Sequence, residues 1–364
     1  MSLQTADDPT AATRKQDHIE MAFESQVAAA ALDGRFDYEP MLAAHPEPGS
    51  LPVHQWLGKD LLAPIWVSSM TGGTEMALTI NRNLAKACAE FGLGMGLGSC
   101  RPLLYEEDRL VDFQMRPIIG PDRLLFGNLG LAQVERLLED QDLWRIDRLI
   151  DMLELDGLII HVNPLQEWLQ PEGDRFKRSP IEIVEAVIEA KPDLPLMVKE
   201  VGQGMGPASL RRLLELPLLA LDTAANGGTN FSKLELLRNT DAERAAFANL
   251  SLVGHSASEM VDMVNEIVEN PSRHHSLQEN ERDVDIRGIS PPAQVLCQNL
   301  LISGGVRDFL DGYYLTERAK LPAIYGQASA MLRYAQGDYE DLRAHISRQI
   351  RGLELAHAYL RVRA

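Results

Sequence analysis

The chain has 364 residues, of which 45% are hydrophobic and 24% charged, so it is neither disordered nor of low complexity. Its formal net charge of −18 disfavours binding to nucleic acids or anionic membranes, and an anionic substrate would need a locally basic pocket. Three cysteines without C-x-x-C spacing argue against a disulfide framework and a structural zinc site. With no basic, apolar leader and no apolar run of about 18 residues, we expect a cytoplasmic protein.

The first segment, residues 1–62, is predicted to be an extension ahead of the main domain, and it carries a basic cluster. Arg14, Lys15 and His18 place three potentially cationic side chains close together in an otherwise acidic chain. Arginine and lysine in such a cluster can clamp a diphosphate. On the residues alone, a solvated basic patch at the start of a helix is the simpler interpretation.

From residue 63 to 336, short apolar or β-branched runs alternate with stretches of helical periodicity, the pattern of repeated βα units around a parallel sheet. The strand candidates are 64–70, 94–99, 124–130, 157–163, 196–201, 219–224, 299–305 and 322–328. Eight strands close a (β/α)8 TIM barrel, so we predict an α/β fold, a barrel with an N-terminal extension. Among the predicted helices, the one at 179–191 begins with Ser179, Pro180 and Glu182, a capping box.

Two later segments do not follow this alternation of strand-like and helical patterns. Residues 249–256 form a ninth strand-like run, which we interpret as the start of an irregular excursion over about 240–295 rather than as a barrel strand. A loop of this length is usually a lid, an interface or disorder. We interpret its His274 and His275 as solvated residues rather than metal ligands. Residues 337–364 are predicted to form one C-terminal amphipathic helix.

The most specific motif is H-x-N-P-x-Q-E, which comes at the end of a predicted strand. Alternation along the strand places His161 and Asn163 on the same side, toward the barrel mouth, and the next turn presents Gln166 and Glu167. A carboxylate beside a carboxamide suits a magnesium ion and a neutral contact to substrate. The alternative is purely structural, with His161 satisfied in the core and Glu167 as a favourable charge at a helix N-terminus.

Glycine-rich turns follow several predicted strands, at the end of the barrel where active sites are built. The small residues of M-T-G-G at 70–73 and of N-L-G at 128–130 would let backbone N–H groups approach a ligand. Each of these two motifs is equally consistent with an ordinary βα turn. The turns at 303–307 and 326–329 follow the last two strands, where barrels bind phosphate groups, and together they predict a phosphate site.

A series of motifs runs along the chain from residue 14 to residue 307, within a region of similarity that covers roughly residues 14 to 357. They are R-K-x-D-H-I, M-T-G-G, G-S-x-R, N-L-G, H-x-N-P-x-Q-E, V-K-E-V-G, G-G-T-N and S-G-G-V-R. In this order they resemble the motifs of the type 2 isopentenyl diphosphate isomerases. The resemblance implies an FMN-binding barrel that uses Mg²⁺ and interconverts isopentenyl diphosphate and dimethylallyl diphosphate in isoprenoid biosynthesis. It also implies a homo-oligomer that needs NADPH only to reduce the flavin.

The resemblance further implies roles for particular residues. Substrate contacts would come from Arg14, Lys15, His18, Ser99, Cys100, Arg101 and Gln166. Flavin contacts would come from Met70, Thr71, Gly72, Ser99, Asn128, Lys199, Thr229, Gly304, Gly305, Ala328 and Ser329. Gln166 and His161 would be the catalytic residues, and Glu167 would bind Mg²⁺. Lys199, near the flavin ring, would favour its electron-rich reduced form.

The chain departs from the family pattern at Cys100, where a polar residue is common, and at Ala224 and Ala225, which replace a serine and a glycine. These departures concern details of the flavin pocket. Two other functions also stay open. One is an FMN-dependent oxidoreductase on the same barrel that acts on a small hydroxy acid, and the other is a non-catalytic flavin- or phosphate-binding protein. An oxidoreductase would consume its reductant or oxidant in step with product, whereas the isomerase has no net redox change.

Overall fold

The computed structural model describes residues 10–69, 76–271 and 294–363. Ahead of the barrel, the described residues form one α-helix, a 3₁₀ helix at Ala29–Ala31 and three short strands. The α-helix and the strands are α1 (Ala11–Met21), β1 (Phe36–Tyr38), β2 (His54–Trp56) and β3 (Lys59–Leu61). Strands β2 and β3 form an antiparallel hairpin, and its two turn residues, Leu57 and Gly58, have φ angles of 49° and 78°. Positive φ at both turn positions matches the right-handed twist of the two strands, so the hairpin is tight.

Eight parallel strands close into a barrel in chain order, which confirms the predicted α/β barrel fold. They are β4 (Ile65–Val67), β5 (Gly94–Gly96), β6 (Leu125–Gly130), β7 (Gly157–His161), β8 (Leu196–Lys199), β9 (Ala220–Asp222), β10 (Leu300–Ser303) and β11 (Ala323–Gln327). Each lies within one of the eight predicted runs. The runs were recognisable because strands buried on both faces are nearly continuous in apolar residues.

Helices connect the barrel strands and surround them. They are α2 (Ala77–Phe91), α3 (Arg116–Ile119), α4 (Leu131–Glu139), α5 (Trp144–Leu153), α6 (Pro164–Leu169), α7 (Pro180–Ala190), α8 (Pro207–Leu214), α9 (Phe231–Arg238), α10 (Asp241–Phe247), α11 (Ala257–Glu269), α12 (Phe309–Arg318), α13 (Ser329–Ala335) and α14 (Tyr339–Tyr359). The capping box predicted for α7 is present, since the backbone N–H of Ser179 donates to Glu182 Oε2 at 2.8 Å.

The interior of the barrel is built in two layers. The lower layer is apolar and includes Trp66, Phe126, Ile159, Met197, Ala220 and Leu301, and Trp56 and Leu61 of the β2–β3 hairpin pack against it. Side chains two positions apart on a strand face the same side, so the next inward positions form an upper layer. This upper layer is polar and contains Ser68, Asn128, His161, Lys199, Asp222 and Ser303. The hairpin closes the bottom of the barrel, and the polar layer forms the floor of its mouth.

Two segments refine the predictions made for the second half of the chain. The strand-like run at 249–256 is not a strand, because residues 248–252 form a 3₁₀ helix and α11 begins at Ala257. The run is therefore not a barrel strand, as predicted, and the irregular excursion at about 240–295 stays a prediction. The rest of the predicted excursion, with His274 and His275, lies largely outside the described residues.

The C-terminal helix is confirmed as α14, but it is shorter than predicted. After α14 ends, Leu360–Val362 form a short strand, β12, which pairs antiparallel with β1 of the N-terminal segment. The two ends of the chain are therefore joined on the outside of the barrel. The domain boundaries at 62 and 336 stay a prediction. Within the described ranges, no helix has both the length and the apolar character that crossing a bilayer requires.

Candidate active site

A cavity of about 440 Å³ opens at the C-terminal ends of the barrel strands, directly above the polar layer. Several of the predicted flavin contacts line it, namely Lys199, Thr229, Gly304, Gly305, Ala328 and Ser329. Arg307, from the predicted phosphate-site turn at 303–307, lines it as well, and so do Ser68, Ser69 and Arg333, to which the sequence analysis assigned no role. The predicted contacts Met70, Thr71 and Gly72 lie outside the described residues. The cavity coincides with the predicted phosphate-binding end of the barrel.

One wall of the cavity consists of backbone rather than side chains. Gly304 has a φ of 88°, and a Cβ at this position would lie 2.0 Å from the carbonyl oxygen of Ala225. A Cβ on Gly227 would lie 3.0 Å from the Cα of Gly305, whose own φ is 72°. Only glycine permits backbones to approach this closely in this conformation. The wall therefore presents backbone N–H groups where an anionic group of a ligand can reach them.

Two serine hydroxyls in the cavity have no hydrogen-bond partner within the described protein. The Oγ atoms of Ser68 and Ser69 are both buried, and both residues line the cavity. A buried hydroxyl without a partner costs free energy, so native structures usually satisfy it with a ligand or with water. These orphaned hydroxyls indicate that the cavity is shaped to receive a polar molecule.

His161 stands at the end of β7 and contacts Asn128 of the neighbouring strand β6. Asn128 Oδ1 lies 2.7 Å from Nδ1 of His161, so Nδ1 carries a proton and donates to it. Burial, together with the nearby charge of Lys199, lowers the pKa of His161 to about 3. The imidazole is therefore neutral at physiological pH, with Nε2 left as an acceptor.

Asn163, Gln166 and Glu167 form one hydrogen-bonded group at the start of α6. The Nδ2 of Asn163 donates to Gln166 Oε1 and to Glu167 Oε1, both at 3.1 Å. Glu167 Oε2 accepts the backbone N–H of Asp174 at 2.8 Å. Asn163 is buried, and its own Oδ1 has no partner among the described groups. The structure thus brings the predicted catalytic Gln166 and the predicted metal ligand Glu167 together, and Asn163 orients both.

Glu235 on α9 is part of this group and was missed by the sequence analysis. Gln166 Nε2 donates to Glu235 Oε1 at 3.3 Å, and Glu235 Oε2 pairs with Arg238 at 2.6 Å. The Glu235 side chain is buried, whereas its partner Arg238 is half exposed. The sequence feature that could have identified Glu235 is the Glu-x-x-Arg spacing soon after G-G-T-N, because it places both side chains on one face of a helix. Gln166 is held from both sides, by Asn163 and by Glu235.

The predicted substrate residues of the turn after β5 differ in where their side chains lie. Arg101 is exposed and lies 3.9 Å from Asp174, the residue whose N–H binds Glu167. Ser99 is half-buried, and its Oγ accepts the N–H of Arg101 at 3.4 Å. Cys100 is instead buried in the core outside the barrel, where burial raises its pKa to about 12. Only the backbone of Cys100 remains available for a substrate contact.

The predicted basic clamp lies apart from the cavity. Arg14, Lys15 and His18 are on α1, where the described side chains are exposed, and none of the three is among the described residues that line the cavity. The N-terminal segment contacts the barrel at Arg35, whose guanidinium pairs with the carboxylate of Asp311 on α12 at 2.7 Å. Asp311 lies in the first turn of the helix that follows β10, so the segment is anchored at the rim of the barrel mouth.

Glu167 is the predicted metal ligand. Among the described residues, no group of three or more histidine, cysteine, aspartate or glutamate side chains is arranged to hold a metal ion. A single carboxylate is nevertheless sufficient for Mg²⁺, which usually keeps several waters and takes its other ligands from substrate phosphates. Glu167 therefore fits a magnesium ion that arrives with a diphosphate.

No family model matches the chain. Curated proteins do match it, among them several that are named isopentenyl-diphosphate delta-isomerase. The protein from Synechocystis sp. is 38% identical over 241 residues, which cover 65% of this chain and 67% of the relative. The protein from Stutzerimonas stutzeri is 36% identical over 241 residues, 65% and 68% of the two chains. The protein from Halobacterium salinarum is 38% identical over 251 residues, 67% and 66% of the two chains.

The chain belongs to the isopentenyl-diphosphate delta-isomerase family. The predicted resemblance is thereby confirmed, and the matched region spans about two thirds of each relative. Solved structures are similar to this isomerase-family chain in fold alone. A flavocytochrome b2 mutant with pyruvate bound has a TM-score of 0.56 at 12% identity, covering 89% of this chain and 72% of its own. A mandelate oxidase mutant with a monooxide FMN adduct has a TM-score of 0.50 at 15% identity, covering 90% and 88%.

Proposed function

We propose that the protein interconverts isopentenyl diphosphate and dimethylallyl diphosphate with reduced FMN held in the cavity. The observation that carries this proposal is the combination, in one family member, of a glycine-walled polar cavity and the adjoining Asn163-Gln166-Glu167 group. The cavity is suited to a phosphorylated planar cofactor, and the group beside it is suited to a diphosphate and its counter-ion. Neither feature alone would distinguish an isomerase from a binding protein.

The described residues fit FMN at both ends of the molecule. The backbone wall of Gly304 and Gly305, with Ser329 and the cationic Arg307 and Arg333, offers donors for a phosphate. At the other end, Lys199 would lie against the ring system and stabilise negative charge on its reduced form. When bound, reduced FMN would supply a proton-transfer group beside the alkene and stabilise the cationic character that develops there.

The chain's own residues would position the hydrocarbon end of the substrate without competing for its proton. His161 is neutral because its pKa is about 3, so it is not a proton donor at physiological pH. Gln166 is uncharged and is held by Asn163 and Glu235. An unactivated alkene needs a strong acid at one carbon and a base at another, and no side chain of this group is an acid of that strength. These residues orient the substrate and exclude water.

The diphosphate would be bound by charge. Arg101 and a Glu167-bound Mg²⁺ would contact it at the mouth, and Arg14 and Lys15 would reach it from the N-terminal segment. The molecule carries a net charge of −18, so these cations would supply the positive charge that a diphosphate needs at this end of the site. We further propose that NADPH acts only as the reductant of the flavin.

Two broader proposals concern the state of the protein in the cell. All three cysteines are buried free thiols, as expected in a reducing cytoplasm. Large apolar side chains of the N-terminal segment are strongly exposed, with Ile19, Phe23 and Val27 at 74%, 83% and 70%. Exposed apolar surface of this kind is typical of association between subunits, which supports a homo-oligomer.

The test is an assay that follows product and reductant together. Protein reconstituted with FMN and Mg²⁺ is incubated with isopentenyl diphosphate and NADPH in D₂O. The isomerase should form many equivalents of deuterium-labelled dimethylallyl diphosphate for each NADPH that reduces a flavin. Consumption of NADPH in a one-to-one ratio with product would instead indicate an oxidoreductase. Binding of FMN and isopentenyl diphosphate without any conversion would indicate a non-catalytic binding protein.

A further inference from the structure

A buried network of side chains connects the C-terminal helix to the cavity wall, and the proposed chemistry does not use it. Gln327, the last residue of β11, lines the cavity and is 3% exposed. Gln349 of α14 is 5% exposed. Carboxamides buried this deeply cost free energy unless hydrogen bonds satisfy them, and two apolar side chains would pack the helix against the strand without that cost. The pair therefore has a purpose beyond packing.

The hydrogen bonds of the network run in one direction, and a backbone carbonyl sets that direction. Gln327 Nε2 donates to the carbonyl oxygen of Val306 at 3.3 Å. Since a carbonyl can only accept, Gln327 presents its own Oε1 to Gln349, whose Nε2 donates to it at 2.5 Å. Gln349 Oε1 in turn accepts the hydroxyl of Tyr325 at 3.4 Å. The orientation of both amides is thus determined by their partners.

Two further residues keep Gln349 in this orientation. Burial raises the pKa of Tyr325, so the hydroxyl retains the proton that it donates. Gln349 Nε2 also lies 3.0 Å from His345 Nε2, which has to be unprotonated to accept a hydrogen from it. Burial, together with the charge of Arg348, lowers the pKa of His345 and favours this form. Gln349 is therefore held from both α14 and β11.

The network ends on the turn of residues 303–307, here called the phosphate turn. The peptide unit between Val306 and Arg307 is held on both sides. Its N–H donates to Asp311 Oδ2 at 3.1 Å, and its carbonyl accepts Gln327 Nε2. The two glycines that precede it are conformationally permissive, so a fixed peptide after them restricts where their N–H groups point. Gln327 supplies half of that fixation.

We propose that Gln349 is a positioning residue for the phosphate turn and acts through Gln327. The C-terminal helix thereby preorganises the backbone donors that receive the phosphate of FMN. Gln349 itself is not among the described residues that line the cavity. The inference rests on the proposed function, because it needs FMN in the cavity.

A purely structural role of Gln349 would give a different result. The variant Gln349→Met keeps a side chain of similar length and removes both the donor and the acceptor. If Gln349 served only to pack α14 against the barrel, its loss would affect every ligand of the cavity equally or none of them. If Gln349 positions the phosphate turn, its loss affects the binding of the phosphate alone.

The test compares FMN with riboflavin, which has the same ring system and no phosphate. The dissociation constants of both flavins are measured by fluorescence titration with wild type and Gln349→Met. Affinity for FMN should fall about tenfold, because one buried hydrogen-bonded link is lost. Affinity for riboflavin should stay within about twofold. An unchanged ratio of the two dissociation constants in Gln349→Met would overturn the proposal.

Glu354→Met is the matched control. Glu354 is also a buried polar residue of α14, but its Oε1 accepts the N–H of Gly49 in the N-terminal segment at 2.5 Å. The control variant should therefore bind FMN as wild type does. A loss of FMN affinity equal to that of Gln349→Met would show that any weakening of α14 is sufficient, which would also overturn the proposal.

Gln327→Met covers the case in which Gln349→Met does not fold, and it tests the route of the effect. It breaks the same link at the strand, so FMN affinity should again fall about tenfold while riboflavin affinity is retained. In the double variant Gln327→Met/Gln349→Met, the loss should be no larger than in Gln327→Met alone. Additive losses would show that Gln349 does not act through Gln327.

The proposed function and this inference fail in different ways. A wild type that binds neither flavin contradicts the proposed function, and the inference falls with it. A wild type that binds FMN and isomerises its substrate, but whose preference for FMN over riboflavin is the same in both variants, overturns the inference alone.

Discussion

The cavity and the N-terminal segment differ in how their functional residues are held in place. The polar residues of the barrel mouth stand at or just after the ends of barrel strands, where the strand register fixes their positions, and Asn128 and Asn163 orient His161 and Glu167. Arg14 and Lys15 lie on an exposed helix that is anchored to the barrel rim at Arg35. The comparison teaches that the cofactor end of the site is preformed, whereas the cations proposed for the diphosphate have to be brought to it.

The largest effect, a loss of FMN affinity, is expected from Gly305→Asp, which alters the wall of the preformed cavity. The side chain would add negative charge and bulk at a φ of 72°, beside the backbone donors proposed for the FMN phosphate. Losing a charge-assisted contact and adding repulsion should weaken FMN binding about 100-fold or more. Fluorescence titration of FMN measures this. Gly58→Asp, at a similar φ of 78° with open space around it, is the matched control and should bind FMN normally.

A smaller effect, on Mg²⁺-dependent turnover, is expected from Glu167→Gln. This variant tests the part of the site that lies between the cavity and the N-terminal segment. The amide cannot replace the carboxylate as a Mg²⁺ ligand, so Mg²⁺-dependent turnover should fall about 10- to 100-fold. FMN affinity should not change, because Glu167 is not among the residues that line the cavity. Turnover measured against Mg²⁺ concentration checks this. A variant whose metal dependence matches that of the wild type would remove Glu167 from the metal site.

Glu235→Leu should lower kcat about tenfold, by removing the acceptor that holds Gln166 Nε2. FMN binding and the KM for isopentenyl diphosphate should change little, because only the orientation of Gln166 is altered. The control is Glu172→Leu, which removes the other, exposed partner of Arg238 and leaves Gln166 untouched. Equal kcat values in the two variants would show that Glu235 acts through Arg238 and not through Gln166.

The smallest effect concerns the pH dependence of stability. The folded pKa of His161 is about 3, below its ordinary value of 6.5, so folding requires the neutral imidazole. Protons then favour the unfolded chain, and stability is lost as pH falls below 6.5. Between pH 6.5 and 5.5 the loss from this one group is about 1 kcal/mol. Urea unfolding of FMN-free His161→Gln should lack this component, whereas His18→Gln should retain it. Parallel stability curves for wild type and His161→Gln would contradict the assignment.

The sequence was sufficient to predict the barrel and several of the residues that line the cavity, for a physical reason. Parallel strands bring their C-terminal ends to one edge, so polar residues that follow an apolar run meet there without further information. Gly304 and Ser329 were predicted in this way, whereas the role of Lys199 was implied by the family resemblance. Glu235 was not, because its contact with Gln166 joins residues 69 positions apart on different helices. The β1–β12 pairing, which joins Phe36 to Val362, was missed for the same reason.

The most direct test of the division between cavity and segment uses the double variant Arg14→Ala/Lys15→Ala. FMN affinity and the KM for isopentenyl diphosphate are measured on the same preparation of wild type and variant. If the cavity is preformed and the segment supplies the diphosphate contacts, FMN affinity stays within about twofold. The KM should then rise about tenfold or more, since a charge-assisted contact contributes roughly 1.5–3 kcal/mol. An unchanged KM, or a loss of FMN affinity that accompanies the rise, would contradict this account.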